Sequence, residues 1–160
     1  MKNIEKDLLL ADLSRRLPYK TYCALKGSSP QEKKEPYKGK YLLTNISVNE
    51  LHSKDVEGYP CLCSFEGLST PMDLNEVRPY LKKIENITEE DRKEIERILD
   101  FVPPRLGEPN SKGFDNILLS CVVGVGLLSD WLDLNHYDYR GLIEKDLAIE
   151  VTEKNDPYKE

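Results

Sequence analysis

Few residues of this sequence could carry out chemistry, and two cysteines form the first candidate site. Cys61 and Cys63 are separated by one residue, and His52 lies shortly before them. Structural zinc sites favour two-residue spacing within a cysteine pair and four well-placed ligands. This pair is isolated and has one-residue spacing, so the pattern favours two buried thiols that pack as small hydrophobic groups. We therefore expect neither a metal nor another cofactor.

Nucleophilic catalysis is the second possibility. A cysteine nucleophile needs a histidine beside it, and the chain has two histidines, His52 and His136. Neither stands in a recognisable catalytic motif, and Ser120 lacks the Gly-x-Ser-x-Gly pattern of a nucleophile elbow. Gly124 and Gly126 follow an apolar run without the third glycine of a dinucleotide-binding loop. The sequence therefore favours a non-enzymatic protein, with a small enzyme using an unfamiliar Cys/His site as the alternative.

The densest group of polar and aromatic residues is His136, Tyr137, Asp138, Tyr139 and Arg140. Tyrosine and arginine are favoured anchors of protein interfaces, so this group is our candidate binding surface. In the competing structural interpretation, Asp138 caps a helix, the tyrosines pack, and Arg140 pairs with a nearby carboxylate. Capping alone accounts for Asp138, and this makes the structural interpretation the stronger of the two.

Charge and composition narrow the possible partners. The net charge is −6, and acidic residues interrupt the nearest basic cluster, which consists of Lys33, Lys34, Lys38 and Lys40. Nucleic-acid binding is therefore disfavoured, although these lysines could merge with Lys82 and Lys83 in a regulator that binds nucleic acid. The apolar run at 117–128 is too short to cross a membrane. With four cysteines and no secretory signal at the N-terminus, a cytoplasmic protein is expected.

Several elements must position these residues. Residues 3–17 predict a helix that is apolar on two sides, which is typical of a helix packed in a core or on a partner chain. Residues 88–102 predict a central helix, with Thr88 as N-cap. Short helices are expected after Ser129 or Asp130 and over 139–145, the latter capped by Asp138. Strands are expected at 19–25, 41–46, 61–65, 117–123 and 148–151, and a short connection at 73–81. One long helix over 115–136 is the alternative for 117–123, disfavoured by its two glycines.

These elements predict the α+β class. The expected architecture is a small antiparallel sheet, which could close like a barrel, with an N-terminal helix, a central helix and short C-terminal helices. Residues 1–151 form a single domain with a flexible excursion at about 27–39, and residues 152–160 form a polar, frayed tail.

Three segments resemble an uncharacterised family that is associated with phages and mobile elements of gut anaerobes. The N-terminal segment comprises Asp7-Leu8-Leu9-Leu10 and Arg16-Leu17-Pro18-Tyr19, and the middle segment comprises Val77-Arg78-Pro79-Tyr80-Leu81 and Thr88-Glu89-Glu90. The C-terminal segment comprises Asp130-Trp131-Leu132, residues 135–145 with Asp138-Tyr139-Arg140-Gly141-Leu142-Ile143, and residues 147–151. Asp146 stands where the family usually has glycine, and segment 107–128 departs from the family pattern. The resemblance implies no activity, cofactor or catalytic residue. Together with the composition, it favours an accessory domain that binds a protein partner or a second copy of itself.

Overall fold

The computed structural model describes residues 3–27, 37–48, 61–100 and 111–159, with side chains for all except 100 and 111–122. This part of the chain confirms the α+β class, with three α-helices and one six-stranded sheet. The N-terminal helix α1 spans Asn3–Arg16, and α2 spans Glu89–Asp100, as predicted. A 3-10 turn at Leu17–Tyr19 follows α1, because Pro18 disfavours α-helical geometry in the residue before it.

The sheet is open, with strand order β4-β3-β2-β1-β5-β6. Its strands are β1 Tyr22–Lys26, β2 Tyr37–Val48, β3 Cys61–Phe65, β4 Met72–Asp73, β5 Val77–Leu81 and β6 Ile149–Glu150. Four pairings are antiparallel, as expected, and the pairing of β5 with β6 is parallel. The sheet is therefore mixed. The expected excursion at 27–39 lies largely outside the described residues, although β2 already begins at Tyr37.

The segment 73–81 is not the short connection that we expected, because Val77–Leu81 forms strand β5 next to β1. Proline lacks the N–H that a sheet ladder needs, so a strand tolerates it best where one side has no neighbouring strand. In the structure Pro79 pairs with Cys23 on one side, and β6 pairs only with the residues that follow, Tyr80 and Leu81. The proline thus lies where β5 has a single neighbouring strand.

The strand expected at 117–123 is wrong, because α3 is one helix over Ser111–Leu134. Glycine costs a helix about 1 kcal/mol relative to alanine, and two glycines did not suffice to break this one. Ser129 was expected to cap a new helix. Instead its hydroxyl donates to the Gly126 carbonyl at 3.1 Å, inside the continuous helix. The long-helix alternative was therefore the right one.

The C-terminal segment folds without the helix expected at 139–145, because it forms turns through Gly141 at φ 66° and Asp146 at φ 57°. Asp146 adopts left-handed backbone geometry, which aspartate tolerates better than most residues. The tail is not frayed, since the Tyr158 hydroxyl donates to the Tyr80 carbonyl at 2.9 Å. The tail therefore packs against β5.

The core lies between α1 and one face of the sheet. Leu9 and Leu13 of α1 are fully buried, and Leu142 and Leu147 close the core from the C-terminal turns. The sheet contributes Cys23, Leu25, Leu43, Cys61, Cys63, Phe65, Val77 and Leu81. Among the described residues, no helix is long and apolar enough to cross a membrane.

Candidate functional site

The candidate residues 136–140 lie where the chain leaves α3 and meets the end of β5. His136 has a φ of 62°, and this left-handed conformation turns the chain just after the helix. The backbone of Lys82 brackets the turn: its N–H donates to the His136 carbonyl, and its carbonyl accepts from the Asp138 N–H, both at 2.8 Å. Tyr137 forms a parallel bridge with Lys82. The edge of the sheet thus fixes the group in place.

Arg16 of α1 is fully buried beneath this turn. Its Nε donates to Asp12 Oδ2 at 2.7 Å, and its Nη2 donates to the Tyr137 carbonyl at 2.7 Å. Its Nη1 donates to the Asp133 carbonyl at 3.3 Å. Asp12 and Asp133 are fully buried as well. Arg16 therefore connects α1, the end of α3 and the turn that follows it.

Two carboxylate oxygens of this cluster, Asp12 Oδ1 and Asp133 Oδ1, accept no hydrogen bond from the described residues. Each still lies within ion-pair distance of a guanidinium. Arg140 Nε is 3.8 Å from Asp12 Oδ1, and Arg16 Nη2 is 3.4 Å from Asp133 Oδ1. Burial raises the pKa of Asp12 above its ordinary value, while the Arg16 guanidinium opposes that rise.

Tyr139 and Arg140 belong to the same cluster. The Tyr139 hydroxyl donates to Asp133 Oδ2 at 3.2 Å, and Arg15 Nε donates to the same oxygen at 2.8 Å. The guanidinium carbons of Arg140 and Arg16 lie 5.1 and 5.8 Å from the centre of the Tyr139 ring. Burial, and next the negative charge of Asp133, raise the pKa of the Tyr139 hydroxyl. The Tyr139 ring therefore makes a cation–π contact with each of the two guanidinium groups.

Asp138 makes the capping contacts that the sequence predicts, although no helix follows. Its two carboxylate oxygens accept from the N–H groups of Leu142 and Ile143 at 2.9 and 2.7 Å. The residue is 9% exposed. A carboxylate that accepts two backbone N–H bonds holds the loop closed, so Asp138 shapes the turns that lead to β6.

His136 is 7% exposed and stacks on Tyr158, with ring centres 3.8 Å apart. Burial lowers the pKa of His136 to about 3, and the charges of Arg16 and Lys82 act in the same direction. The ring is therefore neutral at neutral pH. Its Nδ1 has no hydrogen-bond partner among the described residues.

Tyr137 connects the turn to α2. Its hydroxyl donates to Asp91 Oδ2 at 2.7 Å, and this oxygen also accepts from the N–H and hydroxyl of Thr88. The Tyr137 ring stacks on Trp131 of α3 at 5.8 Å. The first turn of α2 is thereby fixed against the end of α3.

The cluster has little capacity for catalysis. A general base or acid must reach the substrate proton directly or through one water molecule. The polar atoms of Asp12, Arg16 and Asp133 are instead buried in contacts with each other and with the backbone. The arrangement joins α1, α3, β5 and the C-terminal segment.

The three cysteines whose side chains the structure describes show no sign of activation. Cys23, Cys61 and Cys63 are buried thiols, and burial raises the pKa of each, that of Cys63 to about 12. Because the thiolate is the nucleophile, such thiols are unreactive at neutral pH. Within the described chain, no three His, Cys, Asp or Glu residues are placed to hold a metal ion. His52 lies outside the described residues, and β2 and β1 separate β3 from β5, near which His136 lies.

The lysines proposed as a basic patch make contacts within the chain. Lys83 Nζ pairs with Glu150 at 2.9 Å, and Lys82 Nζ lies 5.5 Å from the centre of the Tyr137 ring. Lys40 Nζ donates to the Asp156 carbonyl at 2.8 Å. Lys33 and Lys34 lie outside the described residues.

A different surface, absent from the sequence-based predictions, is an open groove of about 410 Å³ between α2 and α3. Its lining is mainly apolar, with charged residues around it: Tyr19, Glu94, Arg97, Ile98, Leu127, Asp130, Trp131 and Leu134. Leu127 is 40% exposed and Leu134 is 53% exposed. No side chain of α2 from residue 89 to 99 is fully buried. We call this surface the α2–α3 groove.

Sequence reasoning missed two sets of residues. The first set is Asp12, Arg16 and Asp133, which were missed because charged residues usually lie at the solvent-exposed surface. The available indication was the four-residue spacing of Asp12 and Arg16 in a helix that is apolar on two sides. The α2–α3 groove was missed because α3 was divided into a strand and a short helix.

Comparison with models of protein families, with curated proteins and with solved structures finds no match to this chain.

Proposed function

We propose that this chain is a non-enzymatic accessory domain of a phage or mobile element that acts in the cytoplasm by binding protein, and that the α2–α3 groove is its binding surface. The observation that carries the proposal is the exposure of two leucines, Leu127 and Leu134, in a concave apolar surface. Contiguous exposed apolar surface on a folded domain marks an interaction site more often than isolated apolar residues do.

Trp131 makes the groove suitable for binding because its position is already fixed. Its ring stacks on Tyr137, whose hydroxyl is held by Asp91 of α2. A rigid tryptophan in a pocket is a frequent energetic centre of protein interfaces, since little side-chain entropy is lost on binding. Glu94, Arg97 and Asp130 add the polar rim that surrounds such centres.

The buried cluster around Arg16 supports the proposal indirectly. Residues 136–140 were the candidate binding group, but His136, Tyr137 and Asp138 are at most 9% exposed. Their contacts hold α1, α2 and α3 in the positions that form the groove. We therefore propose that these residues support the binding surface and that Leu127, Trp131 and Leu134 contact the partner.

A photoreactive amino acid at position 134 tests the proposal in the organism that carries the gene. The matched control places the same amino acid at the exposed Glu153, outside the groove. We expect a discrete protein adduct from position 134, absent from position 153 and lost when Leu127→Asp is added. Equal labelling from both positions, or no adduct from position 134, would overturn the proposal.

A further inference from the structure

The C-terminal tail places Tyr158 on the face of the sheet opposite α1. Side chains alternate between the two faces of a strand, so Ala24 of β1 and Tyr80 of β5 point away from the core beneath α1. Tyr158 packs against the small cluster that these two residues form with Val151. Residues 152–154, which lead into the tail, are exposed. The tail thus crosses an exposed segment and then inserts one aromatic ring.

The hydroxyl of Tyr158 lies where the ladder between β1 and β5 ends. The last pair of this ladder is Cys23 with Pro79, and the same register would place Tyr22 opposite Tyr80 next. That pair does not form. Instead, the Tyr158 hydroxyl accepts from the Tyr22 N–H at 3.4 Å and donates to the Tyr80 carbonyl at 2.9 Å. A single hydroxyl therefore bridges a backbone donor of one strand and a backbone acceptor of the other.

The ring of Tyr158 lies between two other aromatic rings. It stacks on His136 with ring centres 3.8 Å apart, and it meets the Tyr22 ring edge-on at 5.6 Å. Neither wall belongs to the tail, because Tyr22 is part of β1 and the backbone of Lys82 fixes the turn at His136. Burial raises the pKa of the Tyr158 hydroxyl, so it stays protonated and can donate. We call the space bounded by His136, Tyr22 and the Tyr80 carbonyl the phenol slot.

We infer that the phenol slot is a binding site for a tyrosine side chain, and that Tyr158 occupies it as an intramolecular ligand. The stacking on His136 requires a planar ring. The backbone N–H and carbonyl at the end of the slot require a hydroxyl that both accepts and donates, and tyrosine combines the two features. None of the slot residues lines the α2–α3 groove, so this inference does not depend on the proposed function.

The tail keeps this site closed in the free protein. Val151 is held by β5, since its N–H donates to the Leu81 carbonyl at 2.8 Å, and only residues 152–157 separate it from Tyr158. So short a connection gives the Tyr158 ring a high effective concentration at the slot. A tyrosine carried by another molecule must displace the tail to bind.

Tyr158→Ala tests the inference, because it empties the slot in the full-length chain. The probe is N-acetyltyrosinamide, titrated at millimolar concentration and followed by NMR. We expect the variant to bind it about tenfold more tightly than the wild type, whose slot is occupied. N-acetylphenylalaninamide should bind the variant about tenfold more weakly than the tyrosine probe, because it leaves the backbone N–H and carbonyl unpaired. The control is Lys159→Ala, an exposed position of the same tail, which should behave like the wild type.

Two further measurements locate the probe and check the fold. The ring-proton signals of His136 should shift when the probe stacks on it, and adding His136→Asn to Tyr158→Ala should abolish binding. Far-ultraviolet circular dichroism shows whether each variant is folded. Should Tyr158→Ala be unfolded alone, the same two probes are compared for refolding, which the tyrosine probe should restore and the phenylalanine probe should not.

Two results would overturn the inference in different ways. Equal effects of the two probes on Tyr158→Ala, or no effect of either on binding or refolding, would show that the slot does not recognise a phenol. Binding of the tyrosine probe to the wild type as tightly as to the variant would show that Tyr158 does not occupy the site as a competing ligand.

Discussion

Replacing His136 by asparagine should remove the part of the acid sensitivity of folding that this side chain causes. The ring is buried against Tyr158, and its pKa falls from 6.5 to about 3, mainly through burial and then through the charges of Arg16 and Lys82. Below pH 6.5 the unfolded chain therefore binds a proton that the folded chain does not. Acid therefore favours unfolding. The stability that the neutral His136 ring contributes is lost progressively as the pH falls from 6.5 to about 3.

The size of the effect follows from the two pKa values. Between pH 7.5 and 4.5, proton linkage at His136 lowers the free energy of unfolding by about 2–3 kcal/mol, and the full loss below pH 3 approaches about 5 kcal/mol. Domains of this kind are stable by about 5–15 kcal/mol, so the loss at pH 4.5 is readily measured. Asparagine is the appropriate replacement because it tolerates the φ of 62° at this position and does not titrate.

Urea unfolding followed by the fluorescence of Trp131, the single tryptophan, measures the effect at several pH values between 7.5 and 4.5. His52 and all carboxylates are present in both proteins, so their contributions cancel in the comparison. The wild-type free energy of unfolding should fall about 2–3 kcal/mol further than that of His136→Asn across this range. Equal falls in the two proteins would refute the reasoning, because they would mean that the folded chain protonates the ring freely.

Three further predictions concern the same junction. Arg16→Met should lower the free energy of unfolding by about 3–5 kcal/mol, because it removes the buried guanidinium that hydrogen-bonds the buried Asp12 carboxylate. Arg15 is partly exposed, so Arg15→Met should cost only about 1 kcal/mol, and similar costs for the two variants in urea unfolding would contradict this. Asp138→Ala should cost about 1–3 kcal/mol, measured as a lower melting temperature, because two backbone N–H groups lose their acceptor. Tyr158→Phe should cost about 1 kcal/mol and speed proteolysis of the tail, since the bond to the Tyr80 carbonyl is lost; an unchanged cleavage rate would count against a packed tail.

Local patterns were enough to predict α1, α2 and strand β3. Amphipathic spacing, the N-cap at Thr88 and the proline after α1 act within a few residues, so they can be read from the sequence. Strand β5 and helix α3 could not be predicted in this way. Pro79 is tolerated because β5 has a single neighbouring strand at that position. The free-energy cost of the glycines in α3 is smaller than the stabilisation from the rest of the long helix.

In the candidate site, too, contacts between residues close in sequence were predictable and contacts between distant residues were not. The capping role of Asp138 was predictable, because its partners are four and five residues away. The burial of Arg16 was not, because its partners Asp133 and Tyr137 lie 117 and 121 residues along the chain. Contacts over such distances depend on the tertiary fold, and no local pattern encodes them.

Arg16 of α1, the end of β5 and the turn after α3 meet at one junction. Arg16 donates to the Tyr137 carbonyl, and Lys82, directly after β5, brackets the turn at His136. These contacts hold α1, the sheet and the end of α3 together. Leu127 and Leu134 of the α2–α3 groove are exposed instead. Polar substitutions at these two leucines should therefore leave the junction folded and change only the binding that we propose for the groove.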